Sequence, residues 1–341
     1  MLAVRLLAGA RNRARLIRVT PDMHTATHTE SAALRTLLRS LGQIVLQPNA
    51  VTGACVLAAL FFCDVRLACA ALTGAVAANV SAILAGYHER DTHLGLHGFN
   101  GALAALAAFT FVADNATATA VAILAATATA WLLEPWSRWL RNRGQGFYSS
   151  PCLIVTWIWL PSIRLAEKTP PLKAHDALSF VTALDGAFAG LAQITFAHGA
   201  LSGLLVLAGI AASSRRYALW ALVGTIVASG GYWLPGASSS SLEAGLLGFN
   251  GALTALAVAD CGVVVTLGAI ALSVMLQQFA GYGGWPSMTA PFVIATWSAH
   301  WLARRRGQNV GADVAAGTSG TPGTQPGPPA TTTRQKSRRT I

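Results

Sequence analysis

Charge is what this sequence has least of. Asp, Glu, Lys and Arg make up 11% of its 341 residues, whereas soluble domains carry about 25%. An ordinary soluble globular protein is therefore excluded. Acids are scarcer than bases, 13 against 24, but the basic excess does not describe a nucleic-acid surface. Arginines collect before the apolar runs (Arg5, Arg11, Arg13, Arg15, Arg18), in short loops (Arg138, Arg141, Arg143; Arg215, Arg216) and after the last run (Arg304, Arg305, Arg306). That is the distribution the positive-inside rule produces. The five cysteines (Cys55, Cys63, Cys69, Cys152, Cys261) show no CxxC spacing, so they read as free thiols with neither a disulfide frame nor a metal knot. No nucleophile–base pair is repeated and no carboxylate sits mid-span in both parts of the chain, which argues against an intramembrane enzyme and against an ion-coupled transporter. His88 and His93 are five apart and share no helical face. His97 and His198 have no histidine counterpart where the internal repeat described next would place one.

Apolar residues are abundant at 53%, and the mean hydropathy is +0.50. Several apolar runs of about twenty residues mark a polytopic membrane protein. Residues 95–107 read GLHGFNGALAALA, and 150 residues later 245–257 read GLLGFNGALTALA, with eleven of thirteen positions identical. The same offset pairs Gln43-Ile44 with Gln193-Ile194 and Thr52-Gly53 with Ser202-Gly203. An offset of 140 pairs Ser149-Ser150-Pro151 with Thr289-Ala290-Pro291. The chain is an internal duplication. Each half opens with an apolar segment broken near Pro48-Asn49 or His198-Gly199, then runs through a long helix (about 66–87 and 216–233), a short polar stretch (88–97 and 237–247), the Gly-Phe-Asn segment and two more helices.

The polar stretch is too short to span, so it reads as re-entrant backbone. Five spans and one re-entrant helix per half make an odd number, which inverts the second half. The expected organisation is a basic N-terminal tail over 1–35, a first half over 36–165, a connecting loop over 166–185, a second half over 186–303, and a disordered basic tail over 304–341. With both termini cytoplasmic, the Arg-rich loops fall inside.

Repeated positions are the candidates for function. Gly98, Gly101, Gly248 and Gly251 suit close helix packing, while Phe99 and Phe249, with Leu103 and Leu253 one turn on, suit the walls of a flat apolar slot. Gln43 and Gln193 read either as interhelical hydrogen-bond partners or as a donor–acceptor lining. Ser149 and Thr289 read as helix N-caps, as mid-pore hydroxyls, or as both.

The Gln before a broken helix, the GFNG motif and the [Ser/Thr]-x-Pro opening of the last helix occur in order and twice. With GLLGFNGALTAL and MTAPFVIATW in the second half, they resemble the urea transporters over about 36–303. The resemblance implies an all-α membrane protein of two inverted halves, a homotrimer with one pore per protomer in the cell inner (plasma) membrane, no enzyme activity, no cofactor and no nucleic acid. Urea would be its substrate, passing down its gradient between paired Phe rings and along backbone carbonyls. Carried to matching positions, Gln43, Ile44, Gln193 and Ile194 line the end sites, Phe99, Leu103, Phe249 and Leu253 form the slot walls, and Ser149 and Thr289 mark the narrow middle. Phe196 flanks the second end site where the first half has Leu46, and Ser149 and Cys152 depart from the family's Thr-x-Pro-Phe. A channel for ammonia or short amides is the alternative, and the absence of a symmetric His pair weighs against it.

Overall fold

Every element that the computed structural model describes is a helix; it covers residues 23–163, 180–233, 241–242, 244–284 and 286–318. The first half contains α1 (Met23–Gln43), α2 (Ala50–Cys63), α3 (Val65–Leu84), the short α4 (Glu89–His93), α5 (Leu96–Phe111), α6 (Asn115–Arg141) and α7 (Ser150–Trp159). The second contains α8 (Phe180–Gln193), α9 (Ala200–Ser213), α10 (Arg215–Trp233), α11 (Phe249–Val258), α12 (Val263–Tyr282) and α13 (Ala290–Thr318). Local chemistry sets several of these boundaries. Asn49 caps α2 by accepting from the Val51 N–H at 2.8 Å, Asp64 caps α3 through Arg66 at 2.8 Å, and Asp114 caps α6 through Thr117 at 2.7 Å, each satisfying an orphan first-turn donor.

Three of these helices (α3, α6 and α12) are long and apolar enough on their own to cross a membrane. The remaining apolar helices are shorter (α2, α5, α7, α9 and α11), because breaks at 44–49 and 194–199 and the turns before α5, α7, α11 and α13 divide the runs that composition reads as spans. Helix α1 starts at Met23, inside the segment assigned by composition to a tail, and residues 1–22 lie outside the described part. At the other end α13 runs on to Thr318, through the stretch read as disordered from 304, because Ala-rich sequence such as 312–316 favours helix. The expectation for 319–341 falls outside the described residues, as do 164–179 and 234–240; the connecting loop read over 166–185 ends earlier, since α8 is helical from Phe180, and the described end of the polar stretch read over 237–247 forms turns from 244 on. By contact the chain divides into two units, Met1–Trp301 and Leu302–Ile341; the second is helical as far as it is described.

The duplication is written in the backbone. Among the described residues four that are not glycine have left-handed φ, and they form two repeat pairs: Leu46 at 60° with Phe196 at 61°, and Tyr148 at 46° with Met288 at 47°. Gly95 and Gly245 (80° and 74°) and Gly144 and Gly284 (66° and 62°) repeat in the same way. A left-handed non-glycine residue costs about 1–2 kcal/mol, so its recurrence at matched positions marks turns that both halves need.

The halves exchange hydrogen bonds in matched pairs. Thr52 in α2 donates to the Gly209 carbonyl in α9 at 2.7 Å, while its repeat equivalent Ser202 donates to Ala59 at 3.0 Å. These pairings run α2 and α9 antiparallel. The Trp297 indole donates to Gly146 at 2.7 Å and its equivalent Trp157 to Pro286 at 3.0 Å.

Within each half the Gly-Phe-Asn helix lies directly on a neighbouring backbone. A Cβ on Gly74 would sit 2.3 Å from the Gly101 carbonyl oxygen, and one on Gly101 would sit 2.5 Å from that of Gly74; Gly224 and Gly251 give 2.5 Å both ways. Gly101→Val or Gly251→Val is expected to force these helices apart and cost about 1–3 kcal/mol. Gly268→Ala, at a site with no neighbour within 4 Å, should be neutral. Thermal unfolding in detergent checks this, and equal midpoints for all three variants would refute the close-packing role.

Candidate functional site

The two halves meet in one continuous apolar cluster. It contains Ile44, Phe99, Leu103, Cys152, Ile194, Phe249, Leu253 and Phe292, with Leu46, Phe147, Tyr148, Phe196 and Met288 packed against it. Eight of the sequence-derived candidates (Ile44, Phe99, Leu103, Ser149, Ile194, Phe249, Leu253 and, by its contact with Ser149, Thr289) thus gather at or beside the junction of the halves, and Phe196 borders it. Gln43 and Gln193 stand half-buried at the last residues of α1 and α8. The Gln43 amide donates to the Leu94 carbonyl at 3.2 Å, as an interhelical role predicts.

The centre of the junction is a contact between hydroxyls. Ser149 Oγ and Thr289 Oγ1 lie 2.8 Å apart, although 140 residues separate them. Ser149 occupies the N-cap position of α7 but its side chain makes no capping bond. The asparagine of the GFNG motif does that work from another helix. Asn100 Oδ1 accepts from the Cys152 N–H at 3.1 Å while its Nδ2 donates to the Tyr148 carbonyl at 3.1 Å. In the second half Asn250 Oδ1 accepts from Phe292 N–H at 3.3 Å and its Nδ2 donates to the Met288 carbonyl at 3.0 Å. Each asparagine spans the left-handed residue and the first turn that follows it. The hydroxyl between those two anchor points is therefore positioned without being used for capping.

These bonds also bring helix ends together. Asn100 joins the N-terminus of α5 to that of α7, Asn250 joins α11 to α13, and the hydroxyl pair joins α7 to α13. N-terminal ends carry partial positive charge, so the junction collects positive potential without any ionised side chain. Among the described residues no Asp, Glu, Lys or Arg is buried.

The breaks supply the opposite sign. At 44–47 the N–H groups of Ile44, Val45 and Leu46 turn back to Leu41, Gly42 and Gln43 at 2.9–3.2 Å. At 195–196 the N–H groups of Thr195 and Phe196 turn back to Ala192 and Gln193 at 2.9 and 3.0 Å. Among the described residues nothing donates to the carbonyls of Ile44, Val45 and Leu46, or of Ile194, Thr195 and Phe196. Three consecutive carbonyls in each half are thus left without a donor among the described residues, where buried carbonyls are normally paired.

The aromatic residues are less symmetric than the repeat implies. Phe99 stacks on Phe147, with centroids 6.0 Å apart at 29°, and no ring contact joins Phe99 to Phe249 among the described residues. Phe147 carries no sequence signal, because its repeat equivalent is Ser287. Cys152 stands where the second half has Phe292, and Tyr148 of the first half meets the Phe292 ring edge-on at 5.4 Å and 73°. Asn250 has an additional partner, Gln277 Oε1, at 2.8 Å.

A family model described as "Urea transporter" matches residues 34–304, most of the chain. No curated protein matches it.

Asn250→Leu keeps the branched shape but leaves the Phe292 N–H and the Met288 carbonyl without partners. At about 1–3 kcal/mol per orphaned buried group, the variant should unfold well below the parent temperature. Unchanged melting of Asn250→Leu would show that the asparagine does not hold the turn.

Proposed function

The chain belongs to the urea transporter family, and so carries urea across a membrane as a multi-pass membrane protein; we propose that it does so passively, through a narrow slot at the junction of its two halves. In this reading Gln43 and Ile44 with the first carbonyl row, and Gln193, Ile194 and Phe196 with the second, form two end sites. Phe99, Leu103, Phe249 and Leu253 are the walls. Ser149 and Thr289 are the waist.

The observation that carries this reading is the hydroxyl contact between the halves, Ser149 with Thr289, together with two repeat-related runs of carbonyls for which no donor is found among the described residues. Urea is a planar solute rich in N–H donors, with a single carbonyl acceptor. A row of carbonyls replaces the water its N–H groups lose, as carbonyls do for ions in selectivity filters. The hydroxyls of Ser149 and Thr289 can each donate or accept, so at the waist they serve either end of the molecule. Flat apolar walls admit a planar amide and oppose a hydrated or tetrahedral one. Converging helix N-termini raise the energy of cations, ammonium included. That no Asp, Glu, Lys or Arg is buried among the described residues is in keeping with flux uncoupled from protons or sodium.

The matched, crossed hydrogen bonds of Thr52 and Ser202, and the antiparallel run of α2 and α9, support an inverted arrangement of the halves. The clustering of arginines at 138–143, 215–216 and 304–306 supports cytoplasmic termini in the inner membrane. A homotrimer with one pore in each protomer follows from the family resemblance.

Urea efflux from proteoliposomes tests the mechanism. Flux should follow the urea gradient and ignore imposed proton or sodium gradients; accumulation of urea driven by either gradient would overturn passive transport. Thr289→Leu fills the waist and removes a hydroxyl. It should slow urea about tenfold or more, a barrier increase of about 1.4 kcal/mol or greater, while the protein still assembles. Phe249→Ala should widen the slot and reduce discrimination between urea and N-methylurea. Wild-type flux and selectivity in both variants would remove these residues from the pathway.

A further inference from the structure

The repeat is chemically unequal at one place that the transport reading leaves unused. Cys63, the last residue of α2, faces His198 in the second-half break across 135 residues of sequence. Its Sγ lies 3.1 Å from Nδ1 and 3.8 Å from Nε2 of the ring, and the His198 backbone N–H points at the same sulfur at 3.3 Å. The repeat equivalents of this pair are Ser213 and Pro48. At that end Ser213 bonds instead to Gln47 Oε1, at 2.8 Å, a pair of hard oxygen atoms. One end of the junction thus carries a thiol and an imidazole from different halves, and the other carries neither.

We propose that Cys63 and His198 form a binding site for a single soft d10 cation, Cu(I). A thiolate and a neutral imidazole select soft cations over Mg²⁺, Ca²⁺ or Mn²⁺, and two donors from opposite sides suit an ion that accepts low coordination. Bond lengths of about 2.3 Å to sulfur and 2.0 Å to nitrogen place the two donors roughly 3.5–4.3 Å apart, and with the sulfur 3.1 and 3.8 Å from the two ring nitrogens neither lone pair faces it, so the imidazole must turn one nitrogen toward Cys63 and open by up to about 1 Å. It is free to do so: His198 is exposed, Cys63 is half-buried, and the adjacent Gly199 has no atom within 4 Å of where its Cβ would be. On binding, the Cys63 thiol releases its proton to solvent, the thiolate and the imidazole ligate the ion, and no electron is transferred. The resulting thiolate–Cu(I)–imidazole unit has no net charge, which suits a corner at the end of a helix in an apolar protein. The bound ion ties α2 of the first half to the break that carries Ile194 and Phe196. On the transport reading above, it therefore stiffens one end of the slot and slows urea from that end.

The test uses the purified full-length chain in detergent, without oxygen, titrated with Cu(I) held by bicinchoninate. The wild-type protein should withdraw one more copper than Cys63→Ser or His198→Ala, whose affinity at this site should fall about tenfold or more. X-ray absorption should show mixed sulfur and nitrogen ligation, and His198→Cys, which restores a soft donor, should recover the copper with sulfur alone. Equal copper uptake by the wild type, Cys63→Ser and His198→Ala, or ligation by sulfur only in the wild type, would overturn the site. In proteoliposomes Cu(I) should slow urea efflux through the wild type and leave His198→Ala unaffected; equal slowing of both would overturn the link to the slot. Urea flux measured without copper reports on the transport reading alone, so failure of either idea is recognisable by itself.

Discussion

A helix broken inside an apolar protein must find partners for the backbone groups it frees, and this molecule is arranged around that requirement. No water reaches hydrocarbon depth to satisfy them, so irregular backbone survives there only where protein or a polar pathway meets its needs. At the starts of α7 and α13 the need is met by Asn100 and Asn250, which cap those helices from neighbouring ones. The same side chains hold the carbonyls of the left-handed Tyr148 and Met288. Had Ser149 capped its own helix in the usual way, its hydroxyl would not be available to meet Thr289. The asparagine of the motif is thus what releases the hydroxyl pair. At the two breaks the requirement is met only on the donor side, and what remains is two rows of acceptors.

Close approach of the Gly-Phe-Asn helices follows from the same constraint. Asn100 reaches Tyr148 and Cys152 because Gly101 lets α5 lie against the backbone of α3 at Gly74, and Gly251 does the same for α11 against Gly224. The glycines that pack helices and the asparagines that cap them are consecutive in the sequence because one depends on the other. A side chain at Gly98 would meet the Ser40 hydroxyl at 2.2 Å, and one at Gly248 the Thr225 hydroxyl at 2.1 Å.

Much of this was legible in the sequence because duplication prints each structural need twice. The offsets of 150 and 140 located both breaks, both [Ser/Thr]-x-Pro turns and the residues of the junction before any coordinates. Three features were not legible. The role of the asparagines depends on which helix ends meet, and a motif read along one helix cannot show a partner about fifty residues away. Phe147 stacks on Phe99 but matches a serine in the other half, so the signal that found everything else is silent there. The shortness of α5, α7 and α11 was not read either, because hydropathy averages over a window, whereas the long helices read at about 66–87 and 216–233 fall at Val65–Leu84 and Arg215–Trp233. The start of α1 at Met23 shows the same limit from the other side, since polar sequence extends a helix whose apolar part alone reads as the span.

The signs of the potentials along the junction bear on what can cross it. On the proposed reading, the carbonyl rows at 44–46 and 194–196 present negative ends of dipoles to the pathway and the N-termini of α5, α7, α11 and α13 present positive ends, so a cation favoured by the carbonyls is opposed by the helix ends and an anion the reverse. No buried carboxylate or ammonium is present among the described residues to shift either balance. A neutral solute with donors on its edges and an acceptor at one end has favourable partners in both zones and pays neither penalty. The sequence scarcity of charge and the broken helices are thus two parts of one electrostatic filter, since an ionised side chain at the waist would make the crossing favourable for one sign of ion and undo the selection for neutral polar molecules.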